Sequence, residues 1–232
     1  MRHDLKPASL VPEVLAIARQ AGDAIMGVYA KLLAADAATL AVLVNHKDDG
    51  SPLTQADLLA HQTIATRLAA LTPDIPVVSE EDTASLQYRK PTGTFWLVDP
   101  LDGTKEFLAR NGEFTVNIAL VQEGRATLGV VLAPALGLAY WGCPGAGAFK
   151  EHNGLVQAIR VAVPADAGSG VLRVLASKSH LNADTQVYLQ QLGPHKLVQA
   201  GSSLKFCRVA EGSADIYPRL GPTCEWDTAA AQ

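Results

Sequence analysis

An α+β fold is predicted by three features of the sequence: an N-terminal stretch with helical apolar spacing, a central run of strand-like segments joined by hairpin turns, and a last third in which strands and helices alternate. In the first feature, Leu10, Val14, Ile17, Ala21, Ile25 and Val28 recur at helical spacing, and Gly22 and Gly27 are candidates for close packing. NHKDDGSP, Asn45 to Pro52, is dense in breakers and reads as a loop. Thr54 and Asp57 then stand three apart, like a capping box with Asp in place of Glu, ahead of the helix QADLLAHQTIATRLAAL. IPVVSEED is a short strand running into three acids. TFWLVDP is a second strand, and the residue before a proline favours extended backbone, which puts Asp99 at its end. Phe114 to Lys150 gives three or four strands in hairpin order, turning at EGR and PALG. The pairing expected here is antiparallel, not a βαβ series.

The last third changes character. Val171 to Ala176 is strand-like, Asn182 to Leu192 helical, HKLVQAG a strand, and SSLKFCRVAEG a helix closed by Gly212. ADIYPR reads as a short strand and CEWDTAAAQ as the start of another helix. The loop-like VPADAGSG marks the change, so residues 1–153 are expected as an α+β domain and 154–232 as an α/β domain.

Composition excludes several classes. Of 232 residues, 48% are apolar, enough for a full core, and the net charge of -4 comes without a basic stripe for a nucleic-acid polymer. Cys143, Cys207 and Cys224 form no CxxC pair and are expected as buried or partly buried free thiols. No stretch nears the roughly 18 continuous apolar residues of a membrane span, and no secretory h-region is visible. A cytoplasmic location is expected, with peripheral attachment to the inner membrane face left open.

The chemistry concentrates in acids at strand ends: Glu80, Glu81 and Asp82 after one strand, Asp99 and Asp102 after the next. Alone, each group fits a solvated turn or a helix cap. Together on one sheet edge they would repel and raise one another's pKa, a penalty that a hard divalent cation removes. No histidine or cysteine cluster suits zinc. Gly103 permits a sharp turn, and TKEFLAR can open a helix whose free N–H groups face an anion. Carboxylates beside an anion site point to metal-assisted phosphate-ester hydrolysis.

VSEED, WLVDPLDGT and CEWDTAAA resemble the inositol monophosphatase superfamily. KDDGSPLTQADLLAHQTI, VDPLDGTKEFLARNGEFTVNIALV, LASKSH and GSSLKFCRVAEGSADIYPRLGPT are more similar to its bacterial 3'(2'),5'-bisphosphate nucleotidases, and the resemblance covers nearly the whole chain. It implies a layered α/β/α/β/α sugar-phosphatase fold that continues beyond WDTAAA, so the last C-terminal elements are expected to be missing here. It also implies two or three Mg2+ ions, with Mn2+ as a possible substitute, on Glu80, Asp99, the Leu101 backbone carbonyl, Asp102 and Asp227. Asp57 paired with the Thr104 hydroxyl would orient or activate water. Asp57 equally fits a cap at N3, Thr104 a helix start, and Asp227 a first helical turn.

Gly103, Thr104, Gly201, Ser202, Ser203, Lys205 and Arg219 are the substrate-binding candidates. The two basic residues are placed to neutralise the phosphate that is not cleaved. Phe206 reads as core rather than a base-stacking platform, and Tyr217 is undecided. Asp48, Asp49 and His180 read as loop, structural or rim residues, Lys47 as a partner of nearby acids or a solvated lysine, and Glu81 and Asp82 as tuning the field, binding metal through water or facing solvent. The implied reaction is hydrolysis of adenosine 3',5'-bisphosphate to AMP and phosphate, with action on 3'-phosphoadenosine 5'-phosphosulfate and lithium sensitivity also implied. Inositol-1-monophosphatase activity and a non-catalytic nucleotide-binding regulator are the alternatives. The partner is thus a small bisphosphorylated adenosine nucleotide, and the chain is a monomer or homodimer.

Overall fold

The computed structural model describes residues 6–34, 44–46, 52–163, 171–177 and 182–232. Lys47, Asp48, Asp49 and His180 lie outside the described residues. Two long helices, α1 (Pro7–Ala34) and α2 (Gln55–Leu71), cover one face of the main sheet. On α1, Val14, Ile17, Ala18, Ala21, Ile25, Val28 and Leu32 form one buried stripe, and on α2 Ala56, Ala60, Ile64 and Leu68 repeat every four residues. Burying a side chain such as Ile25 contributes about 2 kcal/mol. Gly22 sits where α1 meets the sheet: an added Cβ would stand 2.8 Å from the Leu132 side chain. Gly27 has nothing within 4 Å and plays no such part.

The strands are β1 (Val44–His46), β2 (Pro52–Thr54), β3 (Val77–Ser79), β4 (Thr94–Asp102), β5 (Thr115–Gln122), β6 (Arg125–Ala133), β7 (Leu138–Cys143), β8 (Gly147–His152) and β9 (Leu155–Ile159). A short β1–β2 pair stands apart, and β3 to β9 form a seven-stranded sheet in chain order. Its hairpin pairs are antiparallel as expected, but β3 pairs β4 in parallel. The crossover between them holds a 3-10 helix, Thr83–Tyr88, whose first turn is capped by Asp82. The strand expected to stop at Asp99 continues to Asp102. Between those two residues the register breaks: Asp99 faces Asn117 and Asp102 faces Thr115, leaving Pro100 and Leu101 opposite Val116.

The other face of the sheet packs α5 (Leu204–Ala210) through Leu204 and Cys207, and the C-terminal turn through Trp226, Ala229 and Ala230. Beyond α5 lies a parallel pair, β10 (Leu172–Ser177) with β11 (His195–Ala200), joined by α4 (Ala183–Gln191). A further short helix, α3 (Thr104–Leu108), follows β4. Successive helical and sheet layers thus give the expected α+β architecture. The division expected after residue 153 falls in the turn of the β8–β9 hairpin, and β9 stays bonded to the first sheet.

Two C-terminal readings need correction. Within ADIYPR only Ile216 makes a bridge, to Val174. CEWDTAAAQ holds a short 3-10 turn, Glu225–Asp227, instead of a regular helix; the Ala229 N–H also donates to the Glu225 carbonyl at 2.9 Å, and Trp226, Ala229 and Ala230 pack under the sheet. Cys143 and Cys207 are buried, as expected, but Cys224 is exposed. Among the described residues no helix is long and apolar enough to cross a membrane.

Glu211, which ends α5, anchors that helix to the sheet. Its carboxylate accepts from Lys150 Nζ at 2.6 Å, Arg208 Nη1 at 2.8 Å, Tyr140 OH at 2.9 Å and Ser213 Oγ at 2.7 Å. Burial alone would raise its pKa, but these hydrogen bonds outweigh it and hold the group at about 2.

Candidate active site

The register break turns the end of β4 into the site. Asp99, 2% exposed, and Asp102 meet Asp227, which arrives from the C-terminal 3-10 turn. One carboxylate oxygen of each lies within 4.8 Å of the others. Asp99 Oδ1 accepts from the Leu101 N–H at 3.1 Å, and Asp227 Oδ2 accepts from Thr223 Oγ1 at 2.9 Å and the Cys224 N–H at 3.3 Å. Glu80 follows β3, its own N–H held by the Val98 carbonyl at 3.1 Å, and its side chain reaches Asp99.

Burial pushes the Asp99 carboxyl well above the usual carboxylate range, and the charges of Glu80, Asp102 and Asp227 push it further. Asp102 is raised by burial and then by Asp227, against hydrogen bonds from Ser203 and Asn117 and the charge of Lys205. Asp227 is raised by burial against the bond from Thr223. These are hard oxygen donors with mutual repulsion that the surrounding side chains do not cancel. Such a donor set fits a divalent cation bound through carboxylates.

Asp57 serves two purposes at once. Its Oδ2 accepts from the Thr54 N–H at 2.7 Å and from Thr54 Oγ1 at 2.6 Å, completing the capping box of α2. Its Oδ1 accepts from Thr104 Oγ1 at 3.3 Å. The capping and functional readings of this residue are therefore compatible, one oxygen for each. Burial raises its pKa to about 6, opposed by the Thr54 bonds and aided by the charge of Glu81. Glu81 thus acts on the field of the site, whereas Asp82 is a helix cap.

A cleft of about 310 Å³ opens beside the acids, lined by Glu80, Asp102, Gly103, Thr104, Ser202, Ser203, Lys205, Phe206, Tyr217, Arg219 and Asp227. Gly103 takes a left-handed φ of 90°, and a Cβ there would stand 3.2 Å from both Glu106 Oε2 and Ser202 Cβ. Ser202 is also left-handed, with a φ of 44°, and its buried hydroxyl has no partner. Lys205 is buried, which lowers its pKa, and its Nζ donates to the Ser202 carbonyl at 2.6 Å while lying 5.7 Å from the centre of the Tyr217 ring. Arg219 Nη2 donates to the Pro222 carbonyl at 2.9 Å.

Three placements differ from expectation. The Gly201 N–H is taken by Glu113 Oε2 at 2.9 Å, and any Cβ at Gly201 would collide with Glu106 Cγ at 2.7 Å, so this glycine serves loop packing. The Ser203 hydroxyl is bound to protein groups: Asp102 Oδ2 at 2.5 Å, the Asp227 carbonyl at 2.6 Å and Asn117 Nδ2 at 2.8 Å. Phe206 is a cleft wall, in edge contact with Tyr217 at 5.0 Å between ring centres. Glu113 and Asn117 were not singled out in the sequence. Both lie next to or within the strand-like FTVNIALV, where nothing local separates them from ordinary strand polar residues.

The pattern described as the inositol monophosphatase family matches residues 8–232. A 3'(2'),5'-bisphosphate nucleotidase CysQ from Salmonella typhimurium is 50% identical over 221 residues, 95% of this chain and 85% of that protein. One from Buchnera aphidicola is 40% identical over 95% of this chain and 79% of that protein. The crystal structure of CysQ from Bacteroides thetaiotaomicron superposes with a TM-score of 0.78 at 37% identity, covering 96% of this chain and 84% of that one. A Thermotoga maritima IMPase gives a TM-score of 0.73 at 25% identity, covering 97% of this chain and 80% of that one.

Proposed function

The chain belongs to the inositol monophosphatase family, and from that premise we propose that it is a magnesium-dependent 3'(2'),5'-bisphosphate nucleotidase. Its reaction is hydrolysis of adenosine 3',5'-bisphosphate: water adds to the 3'-phosphorus, the bond to the 3'-oxygen breaks, and AMP and phosphate leave. 3'-Phosphoadenosine 5'-phosphosulfate is a second substrate of the same kind. The observation that carries the chemistry is the convergence of Asp99, Asp102 and Asp227 beside a cleft that Lys205 and Arg219 also line. The nucleotide class is supported by the 50% identity to a CysQ nucleotidase over nearly the whole chain.

Glu80, Asp99, the Leu101 carbonyl, Asp102 and Asp227 would hold two or three Mg2+ ions, for which Mn2+ can substitute. Bound there, the ions supply positive charge for the phosphoryl group and activation of water. Thr104 donates to Asp57 Oδ1, so the lone pairs of its hydroxyl are left to accept from water. Asp57, raised to about 6, is a suitable proton acceptor near neutral pH. Lys205 and Arg219 take the uncleaved phosphate, Ser202 lines the cleft beside them, and Phe206 with Tyr217 forms the apolar wall for the base.

Phosphate release should be compared on adenosine 3',5'-bisphosphate, AMP and inositol 1-phosphate, with Mg2+ and with excess chelator. The bisphosphate should give the highest kcat/KM, and chelator should abolish it. A clear win for inositol 1-phosphate would reject the nucleotidase reading while sparing the metal reading. Full activity in chelator would reject both.

A further inference from the structure

Ser203 stands where four separate segments meet. Its Oγ lies 2.5 Å from Asp102 Oδ2, at the end of β4, and 2.6 Å from the carbonyl oxygen of Asp227, on the C-terminal turn. Asn117, on β5, donates to it from Nδ2 at 2.8 Å, and the same Nδ2 is 3.4 Å from Asp102 Oδ2. A serine hydroxyl has one hydrogen to give and two lone pairs to accept with. Asn117 fills one acceptor direction, and the single hydrogen is divided between the Asp102 carboxylate and the Asp227 carbonyl. Ser203 borders the cleft but is only 1% exposed, and its hydroxyl is engaged by the acids and Asn117.

The acids need such a part. Asp102 and Asp227 repel each other, and Asp227 reaches the site on a short turn. The carboxylate of Asp227 is held by residues of that same turn, Thr223 and Cys224. The ion pair from Arg89 to Glu225 is exposed and adds little order. Magnesium tolerates little departure from octahedral geometry, so ligands delivered by separate segments must be fixed relative to each other. Asn117 strengthens the frame from the other side, since its backbone faces Asp99 across the β4–β5 ladder.

We propose that Ser203, backed by Asn117, is a positioning residue that sets the spacing of Asp102 and Asp227 and does not bind substrate. The inference rests on the metal-site reading above, and its test separates the two. Mg2+ binding is measured by titration calorimetry without nucleotide, on the wild type, Ser203→Ala and Ser203→Cys. Loss of a group that orients a ligand weakens metal affinity by about 10- to 100-fold, and that loss is expected in Ser203→Ala. Its KM for the bisphosphate, measured at saturating Mg2+, should match the wild type. Ser203→Cys keeps the side-chain shape with a larger sulfur and exchanges a strong donor for a weak one, so it should lose affinity in the same direction. If Ser203→Ala does not fold, Ser203→Cys decides the matter. Wild-type Mg2+ affinity in the folded variants, with a raised KM, would overturn the proposal and make Ser203 a substrate contact. Absence of Mg2+ uptake by the wild type would overturn the metal reading and the proposal together.

Discussion

The two ends of α5 hold carboxylates in opposite states. At its C-terminal end, Glu211 is surrounded by Lys150, Arg208, Tyr140 and Ser213, and hydrogen bonds hold its pKa at about 2 despite burial. At its N-terminal end, Asp102 shares a buried site with Asp99 and Asp227, and burial and mutual repulsion raise all three. Both sites are built from carboxylates and hydrogen bonds. The first is internally satisfied and tethers a helix to a sheet. In the second, the hydrogen bonds from Ser203 and Asn117 and the charges of Lys205 and Arg219 only partly offset the repulsion, which leaves a place for a cation.

The largest effect should follow from removing a charge at the open site. Asp99→Asn is expected to lower kcat by roughly 10³-fold, about 4 kcal/mol of transition-state stabilisation. Circular dichroism should show the fold kept, because the side-chain volume is unchanged. Activity within a few-fold of wild type would sink the contrast.

Next comes the closed site. Glu211→Ala removes the shared acceptor of Lys150, Arg208, Tyr140 and Ser213 and should cost about 1.5–3 kcal/mol in urea unfolding, as losing hydrogen bonds to a charged group does. Its calorimetric Mg2+ affinity should not move; a change there would show that the two ends of α5 are not independent. The Glu211 pKa is depressed, so its contribution is full above about 4.5 and is lost as pH falls toward about 2.

Asp57 gives the opposite sign. Its pKa rises from 3.8 to about 6 on folding. The folded state therefore binds this proton more tightly, and its contribution to stability is lost as pH rises from about 4 to about 6. The loss is at most about 3 kcal/mol. Urea unfolding in chelator across that range should show the decline, and Asp57→Asn should flatten it. A wild-type curve rising through the same window, with Asp57→Asn unchanged, would contradict the assignment.

The smallest effect concerns specificity. Arg219→Ala should narrow the preference for adenosine 3',5'-bisphosphate over AMP by about 10-fold, near the 1.5 kcal/mol of a single charge-assisted contact. An unchanged kcat/KM ratio would hand the second phosphate to Lys205.

Much of this was visible in the chain because it depends on local pattern. The α1 stripe from Val14 to Val28, the hairpin turns and the acids near the ends of β3 and β4 all follow from side-chain periodicity and turn chemistry. Other features depended on segments distant in sequence. Nothing near Ser203 announces that Asp227 and Asn117 converge on its hydroxyl, across separations of 24 and 86 residues. The close approach of Glu106 and Glu113 to Gly201 is hidden in the same way. Phe206 is apolar like a core residue, and only Tyr217, packed against it at 75°, and the cleft beside it make it a wall.

The register break in β4 fixes the arithmetic of the DPLD stretch. Along an unbroken strand, side chains alternate faces, so residues an odd number apart point in opposite directions. Asp99 and Asp102 are three apart, yet their carboxylates meet. The extra residue between the paired positions shifts the alternation by half a period and brings both acids to one side. Shortening the stretch by Pro100 or Leu101 would restore a regular ladder, and two acids then two apart would still share a face. It would also withdraw the Leu101 carbonyl, which Thr104 Oγ1 reaches at 3.4 Å, into the sheet and pull Thr104 away from Asp57. The spacing therefore acts as a length standard for the whole edge, in which the backbone between the acids is as constrained as the acids themselves.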